Sequence, residues 1–375
     1  MKVGLIGLGQ AGGRLLDLFI YYNDVLGHKN VLPFTLALNT AEADLRGMKF
    51  VPKKDRILIG QTTVKGHGVG GDPLLGSRIA EQELRNFRRY VSERGTHKVD
   101  AFLLIAGLGG GTGSGSIPVF AKALKEVYSE PVYALALLPS SDEGKLNAAN
   151  ADRCIGELSK SVDAVFYFDN ELWRGEAKSL KDSFLDMNDT VVKPLIPLFA
   201  AGEVTSSGRV GVKVIDSSDI MHSLHGSAVY GYSEWARSVK DTVKGFAKKV
   251  FFVNKTSFDQ LEPSTRCLAL VQSAASGKLS AETDPHKAQY ALSLIEGHPE
   301  DLSREGMDSA RRWLEEFTSG AEVRAGDYPI PRTRQMIVVT VFSGLPALRS
   351  IERIREMSRE YQQLRSKKNP AYTDI

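Results

Sequence analysis

Cysteine is nearly absent: Cys154 and Cys267 are the only two in 375 residues. They have no metal-ligand spacing and read as buried thiols in a reducing compartment. Charge of one sign is missing too. Lys plus Arg number 48 and Asp plus Glu 45, a net +3 that gives no electrostatic case for a nucleic-acid partner. No apolar run approaches the roughly 20 residues of a membrane span, so no integral membrane segment is expected. The N-terminus, Met1-Lys2-Val3-Gly4-Leu5-Ile6-Gly7, is a strand entering a glycine turn, without the apolar core and cleavage site of a secretion signal. The expectation is a cytoplasmic protein. A Walker P-loop is also absent, because Gly144-Lys145 and Gly277-Lys278 lack both the upstream glycine and the following Ser or Thr.

What the chain has is glycine, 35 residues of it, in a background of 42% hydrophobic and 25% charged residues typical of a globular protein. The length allows two packed cores. The densest glycine run, Gly109-Gly110-Gly111-Thr112-Gly113-Ser114-Gly115, follows the apolar stretch Val99–Ala106 and precedes a helical pattern from Ile117 to Tyr128. A strand, a glycine turn and a helix N-terminus make an anion site of backbone amides, with Thr112 and Ser114 able to add hydroxyl donors.

Strand and helix patterns alternate through the first half. Strands are expected at Val3–Ile6, Phe34–Leu38, Ile57–Ile59, Pro131–Leu138 and Ala164–Phe168, with helices at Gly12–Tyr22, Ile79–Glu93 and Leu146–Lys160. Such alternation implies a parallel sheet with helices on both faces and ligands at the carboxyl ends of the strands. A long helix is expected over 181–202, disturbed by Pro194 and Pro197, and then a Gly/Ser-rich loop, Gly202–Gly211. The remainder reads as an α+β domain. Its expected helices are Ser218–Leu224, Ser238–Val250, 285–296 and 301–317, and its strands Ala228–Ser233, Cys267–Gln272 and Met336–Phe342. A C-terminal helix over Leu345–Ser366 carries an apolar stripe and a basic face, Arg349, Arg353, Arg355 and Arg359, whose default state is solvated. The expected organisation is 1–180, the central helix 181–203, an α+β domain 204–344, and the helix and tail 345–375.

Two nucleotide folds compete for the first turn. Gly7-Leu8-Gly9-Gln10-Ala11-Gly12 fits G-x-G-x-x-G, the dinucleotide fingerprint of NAD-linked Rossmann enzymes. That fold wants an acid at the end of the second strand, and this chain has Leu38-Asn39-Thr40 there. Nor does it account for the run at Gly109.

GGGTGSG is the signature of the tubulin/FtsZ superfamily, and the resemblance extends over residues 1 to about 345. Gly9, Gln10, Ala11, Gly12, Gly13 and Arg14 resemble the family's first phosphate loop. Asn39-Thr40-Ala41-Glu42 resembles the second, and Gly66 to Pro73, with Gly70 and Gly71, the third. Gly109, Gly110, Gly111, Thr112, Gly113 and Ser114 match the fourth. Glu143-Gly144 is similar to the pair that holds ribose, although Asn147 stands where FtsZ usually has arginine. Asn170 and Asn188 correspond to the base-reading asparagines. Phe184, one helical turn before Asn188, lies on the same face, where it could stack on the base. The resemblance therefore implies GTP or GDP as ligand, with Mg2+ expected.

Asp216 and Asp219 read first as an N-cap and a first-turn acid. Val214 to Ile220 also resembles the family's catalytic loop, which implies that these two acids complete the nucleotide site of the next subunit in a head-to-tail homopolymer. Gln10 is tubulin-like, Asn39-Thr40 is FtsZ-like, and the long linker and terminal peptide of FtsZ are missing. Together these look like the CetZ family of archaeal tubulin-like proteins, which act in cell shape. An FtsZ-type division GTPase and a non-hydrolysing nucleotide-gated scaffold are the alternatives.

Overall fold

The computed structural model describes residues 1–26, 31–173, 188–201, 215–237 and 258–368. The expected helix at Ser238–Val250, the loop Gly202–Gly211 and the start of the long helix at 181–187 lie outside these residues. The chain divides into two compact units. The first holds Lys2–Ser183, Ala281–Thr283 and Ala347–Ile375; the second holds Met1, Phe184–Ser280 and Asp284–Pro346.

In the first unit, the apolar runs form β1 (Val3–Leu8), β2 (Thr35–Asn39), β3 (Arg56–Leu58), β4 (Ala101–Gly107), β5 (Val132–Leu138) and β6 (Ala164–Asp169). They pair in parallel in the order β3-β2-β1-β4-β5-β6. Every residue of β1, β5 and β6 is buried, as expected for parallel strands covered on both faces. The order reverses between β1 and β4, so their carboxyl ends open a crevice there. Both glycine-rich turns leave from that crevice.

Helices begin earlier than the apolar periodicity suggests. The first runs Gly9–Leu26 and the one after β4 runs Gly111–Lys125, each taking its glycine turn into its own first turn. The single helix expected at 79–93 is two, Pro73–Gln82 and Leu84–Ser92. Asp72 caps the earlier one through Leu74 N and Leu75 N, with Pro73 at its first position, a start signal that lies upstream of the apolar pattern. The chain turns at Glu83, whose carboxylate accepts from Asn86 Nδ2 at 2.8 Å.

In the second unit β7 (Gly226–Ala236), β8 (Tyr290–Gly297), β9 (Glu322–Pro329) and β10 (Gln335–Leu345) lie in the order β7-β10-β8-β9. β10 is antiparallel to β7 and β8, while β8 and β9 are parallel across the helix Arg304–Phe317. Two expectations are corrected here. Cys267–Gln272 is no strand; it lies inside the helix Pro263–Ser276, whose buried Cys267, Leu270, Val271 and Ala274 follow the helical period. That helix presses on β7 where a Cβ at Gly231 would meet Ala274 O at 1.8 Å. Conversely, 285–296 is no helix but a short turn, Pro285–Lys287, and then β8. Pairing on both edges overrides the helix propensity of its Ala and Leu residues. The helical run 188–192 breaks at Lys193-Pro194 and resumes as Leu195–Ala200.

Glu296, on the central strand β8, is 4% exposed, and burial pushes its carboxyl up to about 8. The folded chain keeps this proton over a range in which the unfolded chain, with an ordinary value of 4.5, releases it. Its contribution to stability is therefore full below about pH 4.5 and is lost as pH rises through that window towards 8. In denaturant titrations across this range, Glu296→Gln should flatten the decline; an unchanged slope would mean that the carboxyl is ionised in the fold.

Candidate functional site

The crevice at the β1/β4 reversal holds a cavity of about 370 Å³ whose described lining comes from the first unit. Gly9, Gln10, Ala11, Asn39, Gly70, Gly71, Gly109, Gly110, Gly111, Thr112, Gly113, Glu143, Asn147 and Asn170 all lie on it.

Its walls depend on missing side chains. Gly9 has φ +68°, and a Cβ there would stand 3.0 Å from Gly113 N, so the turns after β1 and β4 touch through backbone. A Cβ at Gly111 would meet Asp72 N at 2.6 Å. Gly110, Gly70 and Gly71 face open space, the last two with φ of +60° and +79°. Amides of the first turn of Gly111–Lys125 and that helix's positive dipole end therefore border a space that an anion can enter.

Other expected residues have different tasks. A Cβ on Gly12 would lie 2.0 Å from Ile105 O, and one on Gly13 would lie 2.3 Å from Met48 Cε. These two glycines bring the first helix close to β4 and Met48; neither lines the cavity. Arg14 is exposed on the same helix and is not part of the lining. Ser114 is buried and its hydroxyl donates back to Gly110 O, which uses its one donor. Thr112 Oγ1 meets Thr40 Oγ1 at 2.7 Å. Asn188 is half-buried in the 188–192 helical stretch of the second unit. Phe184 lies outside the described residues.

Two side chains absent from the sequence expectation organise the loops. Asp44 accepts from Gln10 Nε2 at 2.8 Å and from Asn39 Nδ2 at 3.0 Å, joining the first and second loops. Asn150, 6% exposed, donates Nδ2 to Gly71 O and Gly109 O, both at 3.0 Å, and ties the third loop to the fourth. Nothing local in the sequence marks either residue, since each acts on partners distant in the chain.

At the other end, Glu143 Oε1 accepts from Ser140 N at 3.0 Å and from Asn170 Nδ2 at 3.1 Å. Asn170 Oδ1 is buried and has no hydrogen-bond partner among the described residues.

Asp216 and Asp219 are in the second unit, as the cap of the helix Ser217–His222. Asp216 Oδ1 accepts from Asp219 N at 2.9 Å, and Asp219 Oδ2 accepts from Asp216 N at 3.1 Å. Ser218 Oγ, and then the Asp219 amide, hold the Asp216 carboxyl below its ordinary range. Arg324 on β9 pairs with Asp219 Oδ1 and, at 2.8 Å, with Glu322. The result is a pair of carboxylates fixed at a helix start, with Asp219 braced by a guanidinium.

Comparison with known proteins agrees with this architecture. The profile of the Tubulin/FtsZ family GTPase domain matches residues 2–178, and that of the tubulin-like CetZ C-terminal domain matches residues 177–360. Tubulin-like protein CetZ1 of Haloferax volcanii is 40% identical over 367 residues, covering 96% of this chain and 93% of the relative. Its GDP-bound monomer structure superposes with a TM-score of 0.84 at 37% identity, over 96% of this chain and all of that one. CetZ2 of the same organism, solved as a GTPγS-bound protofilament, gives 0.81 at 31% identity with 96% of this chain and 100% of that chain covered. With a glycine-walled cavity on a parallel sheet, both family profiles matched and near full-length identity of this order, the chain belongs to the CetZ family of tubulin-like proteins and carries its GTPase domain.

Proposed function

We propose that this chain binds GTP or GDP in the glycine-walled cavity, assembles head to tail into protofilaments, and hydrolyses GTP at the contact between subunits, as a cytoplasmic cytoskeletal protein of cell shape. The observation that carries the guanine assignment is the match of residues 2–178 to the Tubulin/FtsZ family GTPase domain. Asn170, on the cavity lining, is assigned to the base, because its side-chain amide offers both a donor and an acceptor, which suits the guanine edge. Asn188 and Phe184 are assigned to the base on resemblance alone.

Amides of Gly110–Gly113 and of the Gly70-Gly71 turn hold the phosphates, while Glu143 and Asn147 face the ribose. No group of three or more His, Cys, Asp or Glu among the described residues could cage a metal. Mg2+ would therefore be held largely by phosphate oxygens and water.

Asp216 and Asp219 line no part of the cavity described in their own chain. Their assignment is to the nucleotide of the next subunit, where an ionised Asp216 and a braced Asp219 accept from and orient the attacking water. The relative solved as a GTPγS-bound protofilament supports such an arrangement.

GTPase activity per molecule should be negligible in dilute protein and rise steeply above a threshold concentration, as read by phosphate release over a dilution series. Specific activity that stays flat would show the site to be complete in one chain. Asp219→Ala should abolish turnover while leaving GTP affinity within about twofold, and its polymers should outlast those of the parent in sedimentation. A loss of binding like that of Gly110→Asp would place Asp219 in the wrong site. The parent should prefer GTP to ATP by about tenfold or more in calorimetry, and Asn170→Ala should erode that preference; equal affinities in the parent would reject the base assignment.

A further inference from the structure

The C-terminal helix Arg349–Lys368 was expected to show its arginines to solvent. Arg353 does otherwise. Its Nη2 lies 2.5 Å from Asp169 Oδ1 at the carboxyl end of β6, and its Nη1 lies 3.7 Å from Glu171 Oε2. Asp169 is 2% exposed in its side chain, so this guanidinium faces a carboxylate shut away from water. The other ion pairs of the helix among the described residues, Arg349 with Glu282, Lys145 with Glu360 and Arg355 with Asp152, each involve at least one side chain more than half exposed, and such pairs contribute little.

The two carboxylates that Arg353 faces flank Asn170, which lies on the cavity lining. Asp169 Oδ1 also accepts from Glu171 N at 3.0 Å. Glu171 Oε2 in turn accepts from Ser141 N and Ser141 Oγ, both at 2.7 Å. On the cavity side the same two segments are joined again by Asn170 Nδ2 to Glu143 Oε1 at 3.1 Å. The loop at 140–143 and the strand end at 169–171 are thus stitched on their cavity side, and one cation on the C-terminal helix braces the strand end from behind. Three carboxylates, those of Glu143, Asp169 and Glu171, share that small region. Without the guanidinium, a buried charge is left uncompensated and the like charges repel.

We propose that Arg353 is a positioning residue for the nucleoside end of the cavity: by holding Asp169 and Glu171 it aims Asn170, and it couples the C-terminal helix to recognition of the base. The coupling is reciprocal, because a ligand that favours the ordered Asn170 also favours the docked helix. A segment far along the chain from every phosphate loop thereby takes part in nucleotide selectivity, and whatever engages this helix gains leverage on nucleotide affinity.

This proposal rests on the cavity being the guanine-nucleotide site, and the test separates the two. The full chain is titrated with GDP, ADP and guanosine by calorimetry, for the parent, Arg353→Ala, Arg353→Lys and the exposed-face control Arg359→Ala. In Arg353→Ala the preference for GDP over ADP should fall about tenfold, while the gain from guanosine to GDP, which reports the phosphate loops, stays within about twofold. Arg353→Lys should recover part of the preference, and Arg359→Ala should match the parent. An undiminished GDP preference in Arg353→Ala, or equal losses of base and phosphate recognition, would overturn the proposal. No preference in the parent would instead reject the guanine site. Should Arg353→Ala fail to fold, hydrogen exchange on the parent decides. GDP should slow exchange over 349–360, and unchanged rates there would overturn the coupling.

Discussion

Backbone meeting backbone at the carboxyl ends of β1 and β4 is the constraint on which the nucleotide end of the molecule depends. Gly12 lies against Ile105 O and Gly111 against Asp72 N at separations that exclude a Cβ, and Gly9 lies against Gly113 with a φ of +68° that disfavours one. Glycine permits such approaches, and those at Gly9 and Gly111 bring N–H groups to the edge of a common space. The cradle is made of amides and a helix end, in a crevice that the strand reversal creates.

Glycine alone would leave these loops without fixed positions, since its conformational freedom must be removed by something else. Polar side chains provide that restraint, from the buried Asn150 to the exposed Glu143. Asn150 bridges Gly71 O and Gly109 O, Asp44 joins Gln10 to Asn39, and Glu143 joins Ser140 to Asn170. The Asn150 bridge satisfies buried backbone carbonyls whose desolvation would otherwise be costly, and the other two tie the loop ends together at the surface. The second unit follows the same logic at Asp216 and Asp219, where helix capping and bracing by Arg324 hold two carboxylates in one arrangement. Capping and the proposed chemistry coexist there, because an N-cap leaves part of its carboxylate available.

The glycine loops were legible in the sequence because they are local: Gly109–Gly115 and Gly70-Gly71 carry their conformational meaning within a few residues. Other positions in the same motifs diverged for a physical reason. Gly12 and Gly13, expected at the ligand, pack against Ile105 and Met48 and lie off the cavity lining, and a motif does not say on which side of a helix its neighbour lies. The Ser114 hydroxyl, read as a donor to ligand, donates to Gly110 O one helical turn back. Element type failed where a short apolar run fits both periods. Cys267–Gln272 became helix through packing on Gly231, and Tyr290–Gly297 became strand through pairing with β9 and β10.

By itself, then, the sequence determined the alternation that builds a parallel sheet, the glycine turns at its strand ends, the asparagines and acids available for chemistry, and a family resemblance spanning nearly the whole chain. All of these are encoded over a few adjacent residues, or in the repetition of such local patterns. Only the tertiary structure decided which side chains support the loops. Asn150 lies 79 residues from Gly71, and Arg353 lies 184 residues from Asp169. Contacts at such separations leave no local pattern, because their partners become neighbours only after the sheet has formed and the helices have packed on it.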